Sequence, residues 1–206
     1  MGLRLRAVDG SLTPWSPSAP PRAFVKVATT GAGRATAARA RAVACAARSA
    51  LVFAGFEPAD GPASGADLLV STAEGPGPRL YVAAASPELE PQDLAGEAFH
   101  YMCLKTHARL PLASSSEALA EARGELSELR AAAAELSGVT LEPSSRGVTG
   151  YSHRFREALL RDFDFPEALA CVWDGLRPGA LSPGSRAALL RAALPVLGLD
   201  WPKTGS

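Results

Sequence analysis

Ala23-Phe24-Val25-Lys26-Val27-Ala28, the break at Thr29-Thr30-Gly31-Ala32-Gly33, and the alanine-rich run from Thr36 to Ala54 decide the fold class. The first six residues suit a strand, since valine and phenylalanine fit a pleated, half-buried surface. Two glycines then interrupt any regular element. The alanines that follow are the best helix formers, and Gly55 stops the helix because glycine adopts the left-handed cap conformation without penalty. A strand, a glycine turn and a helix in that order predict an α/β unit. Gly31 and Gly33, ahead of a helix N-terminus, read either as an anion-binding nest or as an ordinary loop.

Working outward, Leu3-Arg4-Leu5-Arg6 alternates in polarity and predicts a short strand. Asp9-Gly10 marks a turn, and Pro14 to Pro21 a proline-rich connector. Residues 58–78 are rich in Gly, Pro, Ala and Ser, broken by Leu68-Leu69-Val70 as a third strand; Leu80-Tyr81-Val82-Ala83 is a fourth. Beyond Pro87 the pattern turns helical. The expected helices run from Pro91 to Ala108, Ser116 to Leu136, Ser152 to Arg161, Pro166 to Leu176 and Ser185 to Leu197, with a polar loop from Ser137 to Gly150. In the second of them Leu119, Ala122, Leu126, Leu129, Ala133 and Leu136 form a narrow apolar seam, with Ser114 and Glu117 as a capping box. The organisation expected is a reduced α/β domain over residues 1–90 and a helical bundle over 91–206.

The 206 residues carry no formal net charge, so bulk electrostatics point to neither a nucleic acid nor a membrane. The distribution says more. No acidic residue lies between Asp9 and Glu57, a stretch holding Arg22, Lys26, Arg34, Arg39, Arg41 and Arg48; from Glu57 to Glu97 eight acidic residues face Arg79 alone. That asymmetry reads as a surface for a polyanion or as two stretches compensating each other in the fold. Arg34, Arg41 and Arg48 recur every seven residues on one helical face, a solvated stripe or an RNA contact. Cys45, Cys103 and Cys171 are far apart and odd in number, which predicts reduced, buried thiols in a cytoplasmic protein. Metal-site spacing is absent, as are an apolar leader and a membrane-length run.

Two segments of the helical half carry a family resemblance. Glu97-Ala98-Phe99-His100-Tyr101-Met102-Cys103-Leu104-Lys105-Thr106-His107-Ala108-Arg109-Leu110-Pro111-Leu112 is similar to the cysteinyl-tRNA synthetase stretch with an Ala-x-x-Tyr helix followed by Thr-His-Tyr-Arg-Ser-Pro-Leu. Asp162-Phe163-Asp164-Phe165-Pro166-Glu167-Ala168-Leu169 resembles that family's Asp-Phe-Asn-Thr-Pro-Glu-Ala-Leu signature. Mycothiol cysteine ligases share the architecture. The resemblance implies an α/β then all-α fold: a truncated Rossmann-like nucleotidyl-transferase half-domain, then a bundle like the C-terminal part of class I synthetases. It also implies that Lys105, His107 and Arg109 lie near the inner corner of bound tRNA; the alternative reading is structural, with Arg109 ion-paired to a nearby carboxylate.

The same resemblance calls for chemistry that these residues do not supply. The family's strand-end zinc cysteine aligns with Val25 and its His-Ile-Gly-His motif with Arg34-Ala35-Thr36-Ala37; no cysteine precedes Cys45 and no histidine precedes His100. Imidazoles there stabilise charge developing on ATP phosphates, which alanine cannot do. The three lysines, Lys26, Lys105 and Lys203, offer no pair spaced for a Lys-Met-Ser-Lys-Ser loop. His100 and His107, seven residues apart on one helix, stand about 10.5 Å apart along its axis, too far to share a metal ion.

The expected function is therefore a non-catalytic synthetase paralogue that binds tRNA or a protein partner. The alternatives are a protein-binding or homodimerising module without RNA, and a diverged ATP-dependent ligase of cysteine. The RNA-contact candidates are Arg34, Arg41, Arg48, Lys105, His107 and Arg109, and the cofactor-binding candidates Gly31 and Gly33. No catalytic residue, metal, cofactor, membrane or DNA partner is expected.

Overall fold

A computed structural model describes residues 3–6, 11–15, 22–60, 66–73, 79–86, 88–143 and 146–200. The expected Asp9-Gly10 turn and most of the connector after Pro14 lie outside them. Strands β1 (Arg4–Arg6) and β2 (Leu12–Pro14) pair antiparallel. A parallel sheet follows, built from β3 (Arg22–Ala28), β4 (Glu57–Asp60), β5 (Leu68–Ser71) and β6 (Arg79–Tyr81) in the spatial order β4-β3-β5-β6. Helix α1 (Arg34–Phe53) joins β3 to β4. The helical part comprises α2 (Glu97–Lys105), α3 (Ser116–Glu135), α4 (Arg146–Leu160), α5 (Phe165–Leu176) and α6 (Pro183–Val196). The chain is thus α/β with a parallel sheet, followed by helices.

α1 explains its own composition. It packs against the sheet on one side and against α2 and α6 on another, so ten of its residues are buried, seven of them alanines. Small side chains let a helix sit closely between two layers. The sheet-facing set Val25, Val70 and Leu80 joins Val43, Phe99, Leu104 and Leu190 in one continuous core that crosses residue 90. The opposite sheet face, with Phe24, Leu69 and Tyr81 half-buried and Lys26 exposed, has no described helix packed on it. The links from β4 to β5 and from β5 to β6 (residues 61–67 and 72–78) are shorter than the dozen or more residues of a helical crossover.

Several expectations need correction. β2 and β4 are strands that propensity does not signal; β4, Glu57-Pro58-Ala59-Asp60, is an edge strand, where proline is tolerated. The Pro91–Ala108 helix is instead a 3₁₀ turn at Asp93–Ala95 and the shorter α2. α2 stops because Thr106 turns extended and the following backbone bonds to residues 83–86: Ala83 N–H to Ala108 O at 2.8 Å, Leu112 N–H to Ala84 O at 2.9 Å and Ser86 N–H to Leu112 O at 3.0 Å. His107 is therefore not on the helix of His100. α4 begins inside the expected Ser137–Gly150 loop. The cap of α3 is Ser115, whose side chain accepts from Ala118 N–H, while Ser114 is buried and bonded to Ser86. Cys45 is exposed, and only Cys103 and Cys171 are buried.

Candidate functional site

The loop after α2 is fixed from below by Arg39. Five residues beyond Arg34, it lies about 140° around the helix, on the alanine-rich buried face, and is 0% exposed. Its Nη1 donates to Ala83 O (3.0 Å) and Leu110 O (2.6 Å), and its Nη2 to His107 O (3.0 Å) and Thr106 O (3.4 Å). Burial lowers the guanidinium's pKa from its ordinary value. Carbonyl dipoles, with no carboxylate among these acceptors, compensate its charge. Nε, also buried, has no partner among the described residues. Thr36, one turn earlier, bonds through Oγ1 to Ala85 N–H at 3.1 Å.

Above this support the two motif segments meet. Arg109 donates to Asp162 through Nε (2.6 Å to Oδ2) and Nη2 (3.0 Å to Oδ1), a two-pronged pair on a carboxylate only 1% exposed. The Asp162 carboxylate also accepts from Arg6 N–H at 2.8 Å, and Asp162 N–H donates to Arg4 O at 2.8 Å, locking β1 onto the α4–α5 corner. Asp162 and Phe163 both have left-handed backbone, φ 59° and 53°. For phenylalanine that is a strained conformation, held by the bonds around Asp162. Asp164 then caps α5 by accepting from Glu167 N–H at 3.2 Å, with Pro166 in the first turn.

Between β1, this loop and the corner lies a cleft of about 570 Å³. Its basic lining is Arg6, Lys105, His107, Arg109 and Arg161; Leu110, Pro166 and Asp164 contribute the rest with Thr106. Lys105 reaches Glu121 at 2.8 Å and Glu125 at 2.7 Å on α3; burial works against its charge, but these carboxylates outweigh it and raise its pKa. Arg161 pairs with Asp164 at 3.2 Å. His107 Nδ1 faces Arg109 N–H at 3.3 Å, and Nε2 lies 3.9 Å from Asp162 Oδ2. Burial lowers the His107 pKa, and the Asp162 and Asp164 charges only partly offset it.

The other candidates lie apart from the cleft. Arg34 and Arg41 are exposed on α1 and form no hydrogen bond or ion pair with a described residue, whereas Arg48 turns to Val25 O (3.0 Å) and Asp60. Gly31, with φ 76°, makes the turn that needs glycine; Gly33 is the N-cap of α1, whose first turn carries no acidic residue. Both follow the C-terminal end of β3, beside β5, where the strand order reverses and open α/β sheets bind ligands. His100 Nε2 is 2.8 Å from Leu197 O, a packing contact with the end of α6. Among the described residues no His/Cys/Asp/Glu cluster could hold a metal ion, and no helix is long and apolar enough to cross a membrane.

The structure thus brings Lys105, His107 and Arg109 together in one cleft and separates them from Arg34 and Arg41. Sequence reasoning missed Arg6, Arg39 and Arg161 as parts of this region; it allowed an ion pair of Arg109 with a nearby carboxylate, which the structure shows to be Asp162. Only Arg39 left a usable signal, its offset from the seven-residue arginine row.

No protein-family profile matches the chain. It is 38% identical over 101 residues to the cysteine–tRNA ligase of Parvibaculum lavamentivorans, covering 48% of this chain and 21% of that protein. It is likewise 38% identical over 111 residues to the cysteine–tRNA ligase of Halorhodospira halophila, covering 50% of this chain and 23% of that protein. The chain therefore spans about a fifth of the length of the curated relatives it matches. These similarities support a relation to cysteinyl-tRNA synthetases.

Proposed function

We propose that this chain is a synthetase-like cytoplasmic protein that has lost amino-acid activation and binds tRNA through the cationic stripe of α1. The observation that carries the reading is the state of Arg34 and Arg41. They are exposed, about 10.5 Å apart along one helix face, and without a counter-ion among the described residues. The positive end of the α1 dipole, uncapped by any side chain, adds to their field. Phosphates would displace only water and mobile ions there, the condition under which RNA backbone binding is favourable and salt-sensitive.

The finer fold reading, a Rossmann-like nucleotidyl-transferase half-domain followed by a synthetase-type bundle, is supported by the strand order and the glycine turn at its switch point. Loss of activation is supported by the residues that open α1. Arg34-Ala35-Thr36-Ala37 offers no imidazole, and the Thr36 hydroxyl is engaged with Ala85. The cytoplasmic assignment rests on three thiols that form no disulfide.

The test is binding of bulk tRNA followed by fluorescence anisotropy across a salt series. The double variant R34E/R41E is expected to bind about tenfold more weakly and with a shallower salt dependence. Binding unaffected by these reversals would overturn the stripe as the RNA surface. Cysteine-dependent ATP–pyrophosphate exchange is expected at background; measurable exchange would overturn the loss of activation.

A second reading, association with protein, is favoured by the exposed Val52 and Phe53, which line a shallow apolar groove with Ser49, Pro195 and Val196. Concentration-dependent dimerisation abolished by Val52→Asp, with no RNA binding, would replace the first reading.

A further inference from the structure

The geometry points to the cleft between β1, the 106–110 loop and the α4–α5 corner as a second site, separate from the α1 stripe, that takes a phosphorylated nucleoside. Its location differs from that of the glycine turn. Arg109 Nη2 lies 3.5 Å from the carbonyl of Arg79, the first residue of β6, while Gly31 follows the last residue of β3. Arg79 stands level with Lys26 of β3 in the register, so the cleft is set off from the switch point across the sheet, at the β6 edge two strands from β3.

Its size limits the ligand. About 570 Å³ falls within the range of small-molecule pockets and is far too little for a duplex. It exceeds what a bare phosphate fills. Its lining is two-sided: Arg6, Arg109 and Arg161 provide guanidinium donors, and Leu110, 58% exposed, stands with Pro166 as an apolar ledge. An anionic group joined to a flat ring satisfies both sides.

The donors are differently prepared. Arg109 is already oriented: Nε and Nη2 are held by Asp162 and by main-chain carbonyls, and Nη1 makes no hydrogen bond with a described residue. An arginine fixed in this way loses little side-chain freedom when it meets a phosphate. Arg161 is half-exposed and paired with Asp164, a contact of the screened kind that a phosphate can replace. Arg6, half-exposed on the cleft rim, is itself engaged, its Nε lying 3.8 Å from Asp162 Oδ2, so Arg109 and Arg161 are the donors the site depends on. With Nδ1 accepting from Arg109, the His107 proton is assigned to Nε2, making the ring a neutral donor. Two acidic groups are near, but Asp162 is spent on Arg109 and on Arg6 N–H, and Asp164 caps α5. Lys105 is turned to α3 and contributes little.

The shared chemistry is a phosphate on a nucleoside, and its source is a free mononucleotide or an unpaired RNA end, which splays its base as single strands do. The experiment follows amide and histidine side-chain NMR signals of the intact chain. The probes are 5′-AMP, adenosine, inorganic phosphate, a 5′-phosphorylated single-stranded RNA tetramer and a blunt RNA duplex. Shifts at His107, Leu110 and Arg161 are expected with 5′-AMP or the tetramer, and not with the duplex. If 5′-AMP acts, the source is a free nucleotide; if only the tetramer acts, the source is an RNA end.

Arg161→Ala and Leu110→Asp should each weaken the bound probe about tenfold, through lost charge-assisted bonds and lost apolar contact respectively. R34E/R41E should leave it unchanged. Inorganic phosphate as effective as 5′-AMP, with Leu110→Asp silent, would overturn the nucleoside assignment. No shift at these residues with any probe would overturn the site itself. Either failure leaves the α1 reading standing if tRNA binding still depends on Arg34 and Arg41.

Discussion

Arg109 and Asp162, 53 residues apart, form a two-pronged ion pair that joins the two sequence motifs of the helical half. Because Asp162 is 1% exposed, losing its partner strands a charge away from water. Arg109→Met is expected to cost about 3–5 kcal/mol, the range for removing one member of a buried pair. The double variant Arg109→Met/Asp162→Asn should recover part of that loss, since the carboxylate goes with the guanidinium. Urea denaturation of the four proteins of this cycle measures the coupling, and additive losses would rule it out.

Arg39 reaches four carbonyls with a planar fork, a geometry an ammonium cannot reproduce. Arg39→Lys should therefore lower stability by about 2–3 kcal/mol, with carbonyls left unsatisfied. Hydrogen exchange should quicken in residues 106–112 while the middle of α3 stays protected. Unchanged exchange in that loop would show that its backbone ladder to residues 83–86 suffices alone.

His107 sets a pH dependence. Its folded pKa lies below the unfolded value of about 6.5 because burial disfavours the imidazolium. The unfolded chain therefore binds the extra proton first as pH falls. The contribution of His107 is complete above pH ~6.5 and is lost as pH drops from there toward the folded pKa. Urea midpoints between pH 5 and 8 should show a decline below pH 6.5 that is shallower in His107→Gln. An identical slope in both proteins would contradict the assignment.

The thiols should differ in reactivity. Burial pushes the Cys103 thiol up to about 12 and raises Cys171 as well, whereas Cys45 is exposed on α1. A disulfide reagent at pH 8 should modify one thiol quickly in the folded protein and the other two only after unfolding. Cys45→Ser removes the fast phase; a fast phase that persists would show that α2 or α5 opens readily.

The sequence was most legible where local chemistry and tertiary structure agree. The strand–glycine–helix order from Ala23 to Gly55, the α3 seam and the proline start of α5 each follow from one rule and appear within a few residues of where that rule puts them. Legibility failed where long-range bonds decide. Nothing local ends α2 at Lys105; the ladder to residues 83–86 does. Nothing in Glu57-Pro58-Ala59-Asp60 favours a strand except its place beside β3. The cleft was half legible, since Lys105, His107 and Arg109 are close in sequence, while Arg6 and Arg161 reach it only through the fold.

The contacts between Arg4 and residues 161 and 162 bear on how the chain folds during synthesis. The β1–β2 hairpin is synthesised well before its docking partner, Asp162 lying 156 residues beyond Arg6. Until residue 162 has cleared the exit tunnel, Leu3 and Leu5 have no corner to settle against. Closure of this long loop is then a late event, expected to be slow by the measure of contact order.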